Sequence, residues 1–126
     1  MSALLAGIGI DLTEIDRVKK VVEAEPRFIE KVLTKDEQAQ LSHFTGQRRW
    51  EYISGRWSLK ESFAKAMGTG IGAQVGFQDI EIIDNATGQP IVTKSPFNGQ
   101  SLASVSHTGK LVVTQIVLEK GDGQDE

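Results

Sequence analysis

Two carboxylates and two lysines carry the most chemical promise in this chain of 126 residues. Asp11 closes an apolar run, "LLAGIGIDL", where an acidic side chain has no packing role. Glu61 and Lys65 lie one helical turn apart in "KESFAKAMGTGIG", with Lys60 beside them, and this segment runs straight into Gly68, Gly70 and Gly72. Two carboxylates from different elements, flanked by lysines, suit Mg2+, which takes one or two protein carboxylates and completes its shell with water and substrate phosphates. Each residue also has an ordinary explanation. Asp11 would serve as a turn or N-cap acid for a helix starting near Thr13. Glu61 and Lys65 would form an i,i+4 surface ion pair, with the stems of Arg56 and Lys60 snorkelling outward.

The glycines follow the helix instead of preceding it. A helix C-terminus carries partial negative charge and repels phosphate, and the Lys-Ser/Thr of a phosphate-binding P-loop is missing. Two roles remain. Gly68 sits where a left-handed cap ends the helix. The later glycines let a backbone come close to a bulky ligand held by Lys60, Lys65 and a metal.

The elements that must position these groups are legible in outline. "LLAGIGIDL" reads as a buried strand ending near Asp11, and Thr13 to about Ala24 as a helix closed by Pro26. Thr34 and Glu37 form a capping box for a second helix reaching about Phe44. A third, long helix runs from about Arg48 to Met67. On a wheel of about 100° per residue, Glu61 falls about 40° from Trp57, at the edge of an apolar arc covering nearly half the circumference. So wide an arc predicts burial on two sides, by the sheet or by another subunit. Strands follow: "GFQDIEIID", "PIVTK" and the pair "SLASVSHT" and "KLVVTQIVLE", joined as a hairpin across Thr108 and Gly109. One strand, three helices and a run of strands give an α+β class with a mainly antiparallel sheet.

Composition narrows the function. A net charge of −3 argues against general nucleic-acid affinity. The absence of cysteine removes disulfides, thiolate metal sites and cysteine nucleophiles, and fits a reducing cytosol. No apolar run approaches the roughly 20 residues of a membrane span, and Asp11 interrupts the N-terminal run too early for a signal peptide. Residues 1–120 read as one domain and 121–126 as a flexible acidic tail. His107 beside Thr108 ends a strand, where an ordinary hydrogen-bonded histidine is the usual occupant; His43 has no evident role. Arg17, Lys19, Lys20, Arg27 and Phe28 form a basic patch, either a solvated face or a docking surface for an acidic partner.

Taken together, "GIGIDLTEIDRV", "RFIEKVLTKDE", "RWSLKESFAKAMGTGIG", "GQP" and "SVSHT" resemble the small bacterial holo-(acyl-carrier-protein) synthases of the 4'-phosphopantetheinyl transferase superfamily. The resemblance spans nearly the whole chain in order. It implies that family's fold, and transfer of 4'-phosphopantetheine from coenzyme A to a serine hydroxyl of apo acyl carrier protein, with adenosine 3',5'-bisphosphate released. It makes Asp11 and Glu61 Mg2+ ligands, and Lys65, His107 and Thr108 contacts to coenzyme A phosphates. Gly68, Gly70 and Gly72 would line the nucleotide site, Arg56, Lys60 and Pro90 lie in matching segments, and Arg17, Arg27 and Phe28 match the carrier-docking segment. Either Glu61 through a water or a metal-bound hydroxide would take the serine proton. A cytoplasmic homotrimer with active sites between subunits, serving fatty acid biosynthesis, is implied too. Ser62 departs from the alanine usual after the glutamate, and Leu111 to Thr114 are bulkier than the alanines often found there.

Overall fold

A computed structural model describes residues 4–72 and 74–121. Strand β1 (Leu5–Glu14) leads into helices α1 (Ile15–Ala24), α2 (Phe28–Val32), α3 (Lys35–Leu41) and the long α4 (Gly46–Ala66). A 3-10 turn (Phe77–Asp79) precedes β2 (Glu81–Asp84) and β3 (Pro90–Lys94), and the described chain ends with β4 (Gly99–His107) and β5 (Leu111–Lys120). Every strand pairing is antiparallel: a three-stranded sheet ordered β1-β5-β4, and a β2-β3 hairpin. The α+β class therefore holds, as does the hairpin across Thr108 and Gly109. The expected tail lies, from residue 122 onward, outside the described residues.

Local chemistry explains several boundaries. The Thr34 hydroxyl accepts from the Glu37 amide, and the Glu37 carboxylate accepts from the Thr34 amide, so both halves of the capping box form. Gly68, with φ of 79°, ends α4 in the left-handed region, and the amides of Gly68, Thr69 and Gly70 satisfy carbonyls of its last turn. Helix α2 has only five residues, too short for periodicity to reveal. Phe77–Asp79, expected as strand, coils because the Gly76 amide bonds to the Asp79 carboxylate.

Strand β1 departs from expectation in two ways. It does not stop near Asp11: Thr13 and Glu14 stay paired with Val112 and Leu111, so Asp11 lies within the strand, opposite Thr114. It is also inside out. Gly7, Gly9, Asp11 and Thr13 face α4, whereas Ile8, Ile10 and Leu12 are 64%, 60% and 66% exposed. The cause is close backbone approach: a Cβ on Gly9 would lie 1.9 Å from the Ser62 carbonyl oxygen, and one on Gly7 would lie 2.1 Å from that of Ala66. Register places Leu111, Val113 and Leu102 on the same open face as Leu12, giving the sheet an uncovered apolar surface.

Helix α4 joins two cores. Leu59, Phe63, Ala64 and Ala66 pack with Ile80, Ile82, Ile116 and Leu118, while Tyr52 and Ile53 pack with Val18, Val22, Val32, Leu33 and Leu41. This accounts for the wide apolar arc without a second subunit. Among the described residues no helix is long and apolar enough to cross a membrane.

Candidate active site

Asp11 is delivered to the α4 face by β1, and its two oxygens have different neighbours. Oδ2 accepts from the Thr13 hydroxyl at 2.7 Å and the Ser58 hydroxyl at 2.8 Å. Oδ1 lies 3.3 Å from the Lys65 ammonium, which also donates to the Ile10 carbonyl at 3.1 Å. The i,i+4 pair expected between Glu61 and Lys65 is thus replaced by a pair across two elements, because β1 runs close enough for Lys65 to reach it.

Ser58, Glu61 and Lys65 are spaced i, i+3 and i+7 on α4, a single helical face. Glu61 is half-buried, and among the described residues no ion pair reaches its carboxylate. Burial, and then the negative charge of Asp11, hold its pKa above the usual carboxylate range, with Lys65 opposing. Two carboxylates sharing one ammonium leave negative charge uncompensated. Such an oxygen-only donor set fits a hard divalent cation that takes its other ligands from water and phosphate. Among the described residues no group of three or more His, Cys, Asp or Glu forms a fuller cage.

Both carboxylates line a cavity of about 510 Å³. Arg17 and Glu14 contribute charge to its wall, and Val18, Val21, Phe28, Trp57, Leu12 and Leu111 contribute apolar surface. Trp57 is held by aromatic neighbours on both sides, with ring centroids 5.0 Å from Phe77 and 5.3 Å from Phe28. Arg17 and Phe28 therefore stand beside the carboxylates; Arg27, at the start of α2, is exposed and outside the cavity lining.

The other expected contacts lie elsewhere. His107 and Thr108 sit at the β4–β5 turn, where the His107 ring is 3.4 Å from the Glu51 carboxylate and Gln47 donates to the Gly109 carbonyl. Gly68, Gly70 and Gly72 are at the opposite end of α4, with open space around each. From Glu51 to Gly68 the helix advances about 25 Å. Arg56 and Lys60 point inward rather than snorkelling. Arg56 pairs with Asp84, beside buried Pro90 on the neighbouring strand, and stacks over Tyr52 at 4.2 Å. Lys60 has no exposed surface; its ammonium donates to Glu37 at 2.6 Å and to the carbonyls of Val32 at 2.6 Å and Phe77 at 3.0 Å. The expectation that Lys60 reaches a nucleotide is corrected: all three of its protons are used in the core.

Against this geometry, a profile of the 4'-phosphopantetheinyl transferase superfamily matches residues 7–117. The chain belongs to this superfamily. A holo-(acyl-carrier-protein) synthase of Limosilactobacillus fermentum is 61% identical over 119 residues, covering 94% of this chain and 100% of the relative. The Limosilactobacillus reuteri protein of the same name is 65% identical over 116 residues, covering 92% and 97% of the two chains. Among solved structures, the Bacillus anthracis synthase in complex with coenzyme A (3',5'-ADP) superposes with a TM-score of 0.88 at 37% identity. That match covers 94% of this chain and 100% of the other. The chain is therefore an enzyme, a phosphopantetheinyl transferase. Sequence reasoning missed Thr13 and Ser58 as partners of Asp11, although Thr13 lies two residues along the same strand face and Ser58 one turn before Glu61.

Proposed function

We propose that this phosphopantetheinyl transferase moves 4'-phosphopantetheine from coenzyme A to a serine of apo acyl carrier protein, in the cytoplasm and in support of fatty acid synthesis. The observation that carries this reading is the convergence of Asp11 and Glu61 on one cavity that Arg17 and Phe28 also line, with Lys65 paired to Asp11. Named relatives and a coenzyme-bound neighbour support it.

In the reaction, the serine oxygen forms a bond to the phosphorus nearest pantetheine. The bond from that phosphorus to the bridging pyrophosphate oxygen breaks, and adenosine 3',5'-bisphosphate leaves with the electron pair. Asp11 and Glu61 would hold Mg2+, which when bound supplies positive charge to the pyrophosphate oxygens. Lys65 adds a mobile ammonium at the same place. Glu61 would accept the serine proton through a water. Arg17 faces the acidic carrier, and Phe28 and Trp57 offer an apolar wall to it or to the pantetheine arm.

His107 and Thr108 lie too far from the glycine loop for one chain to offer both to the same nucleotide. A neighbouring copy would complete the site, and the open apolar face of Ile8, Ile10 and Leu102 is the surface through which a trimer would form. The direct test incubates the protein with coenzyme A, Mg2+ and apo carrier protein, then weighs the carrier. A gain of one phosphopantetheine is expected. Coenzyme A binding without that gain on any carrier would reduce the chain to a binding module.

A further inference from the structure

We propose that Ser58, backed by Thr114 and Ser62, is a positioning residue for the Asp11 carboxylate: it ties Oδ2 to the protein and leaves Oδ1 as the single oxygen offered to a divalent cation. The inference rests on the reading of Asp11 as a cation ligand.

Three hydroxyls form an unbroken chain behind Asp11. Ser58 lies 2.8 Å from Asp11 Oδ2 and 2.8 Å from the Thr114 hydroxyl, which is 2.6 Å from the Ser62 hydroxyl. All are buried, with Ser58 and Ser62 at 0% exposure and Thr114 at 1%. Counting protons fixes the direction. A carboxylate only accepts, so the single Ser58 proton goes to Asp11. Ser58 must then accept from Thr114, whose proton is thereby used, and the single Ser62 proton is shared between the Thr114 hydroxyl at 2.6 Å and the Thr114 carbonyl at 3.3 Å. Every dipole in the row points its positive end at Asp11, and each bond polarises the next. Ser62, standing where the family motif usually has alanine, begins the row.

The consequence is geometric. With Thr13 and Ser58 both on Oδ2, that oxygen is occupied from the protein side, and the carboxylate plane cannot turn without breaking two short bonds. Oδ1 is left facing Lys65. Hydroxyl packing alone would require none of this, since alanine or valine fills nearly the same space.

The test is Mn2+ titrated into the protein with one equivalent of coenzyme A and no carrier, free Mn2+ being read by electron paramagnetic resonance. Loss of a group that orients a metal ligand typically weakens binding about 10-fold or more, which is the fall expected for Ser58→Ala. Thr114→Val should lose less and Ser62→Ala least, whatever the order of their melting temperatures. Excess Mg2+ should restore most of the Ser58→Ala turnover, because the ligand is loosened and not removed. Wild-type Mn2+ affinity in Ser58→Ala, with Asp11→Ala still deficient, would overturn the positioning role alone. Equal binding by wild type and Asp11→Ala would overturn the cation reading and this inference with it. If Ser58→Ala does not fold, Ser58→Cys replaces it: similar in shape with a weak donor, it must also bind Mn2+ more weakly, and unchanged affinity would overturn the inference.

Discussion

The Lys65 ammonium lies 3.3 Å from Asp11 Oδ1, so a side chain of the protein itself occupies the oxygen that a divalent cation would take. The lysine is about half exposed, so the pair contributes at most about 1 kcal/mol and is readily exchanged. Lys65→Gln should therefore tighten Mn2+ binding to the protein alone by up to about fivefold. Turnover should nevertheless fall about 100-fold, because the ammonium no longer meets the departing bisphosphate. Calorimetry and the carrier mass assay separate the two effects, and weaker Mn2+ binding would contradict the competition.

Glu61 carries a stability penalty with a definite sign. Its folded pKa is raised by burial and by Asp11. At about pH 4 and below, folded and unfolded chains both hold the proton, and no penalty exists. As pH rises through the raised folded value, the native state must ionise a carboxyl beside another negative charge, and stability is lost. Glu61→Gln should thus melt higher than wild type at about pH 8 in chelator, with the gain fading toward about pH 4. Transfer activity should be abolished. A gain that does not vary with pH would show that the effect is packing.

Lys60 and Glu37 make the opposite kind of pair, fully enclosed at 2.6 Å. Burial lowers the Lys60 pKa, with Glu37 opposing, while Glu37 also accepts from the Thr34 and Ile82 amides. Lys60→Met leaves the Glu37 charge without its counter-ion and should cost about 3–5 kcal/mol. Denaturant unfolding measures this. At a temperature where the variant stays folded, KM for coenzyme A should remain near wild type. A large rise in KM would return Lys60 to the nucleotide site.

These contrasts show what a linear reading could reach. The capping box at Thr34 and Glu37, the Gly68 cap and the shared face of Glu61 and Lys65 are local, set by residues within a turn of one another, and all were legible. The burial of Lys60 was not. A helical wheel gives its direction, but not that Val32, Glu37 and Phe77 converge there from other elements. Strand β1 misled for a similar reason. Its apolar residues normally mark an inward face, yet contact with the α4 backbone admits only glycine at positions 7 and 9 and turns Ile8, Ile10 and Leu12 outward. The hydroxyls around Asp11 join β1, α4 and β5, a relationship that exists only once the sheet has formed.

Arg17 lines the cavity from α1 and is exposed to solvent. Arg17→Glu reverses a charge facing an acidic carrier, so KM for the carrier should rise about tenfold or more at low salt, the difference shrinking as salt screens it. Coenzyme A binding, followed separately, should change little. The reverse pattern would move Arg17 from the carrier surface to the nucleotide.

The separation of His107 from the glycine loop makes a prediction about assembly. If each site takes Asp11 from one copy and His107 from another, Asp11→Ala and His107→Ala chains are both inactive alone. When they are unfolded together in equal amounts and refolded, about a quarter of the sites receive both intact residues, by random assortment in a closed ring. Activity near that fraction is expected. The recovery should vanish when Ile8→Lys and Leu102→Lys are added to both chains, since two charges on the open sheet face would prevent association and leave monomers in sedimentation. No recovery from the simple mixture would place Asp11 and His107 in the same chain's site. A coenzyme would then have to reach from the glycine loop to the β4–β5 turn within one protomer.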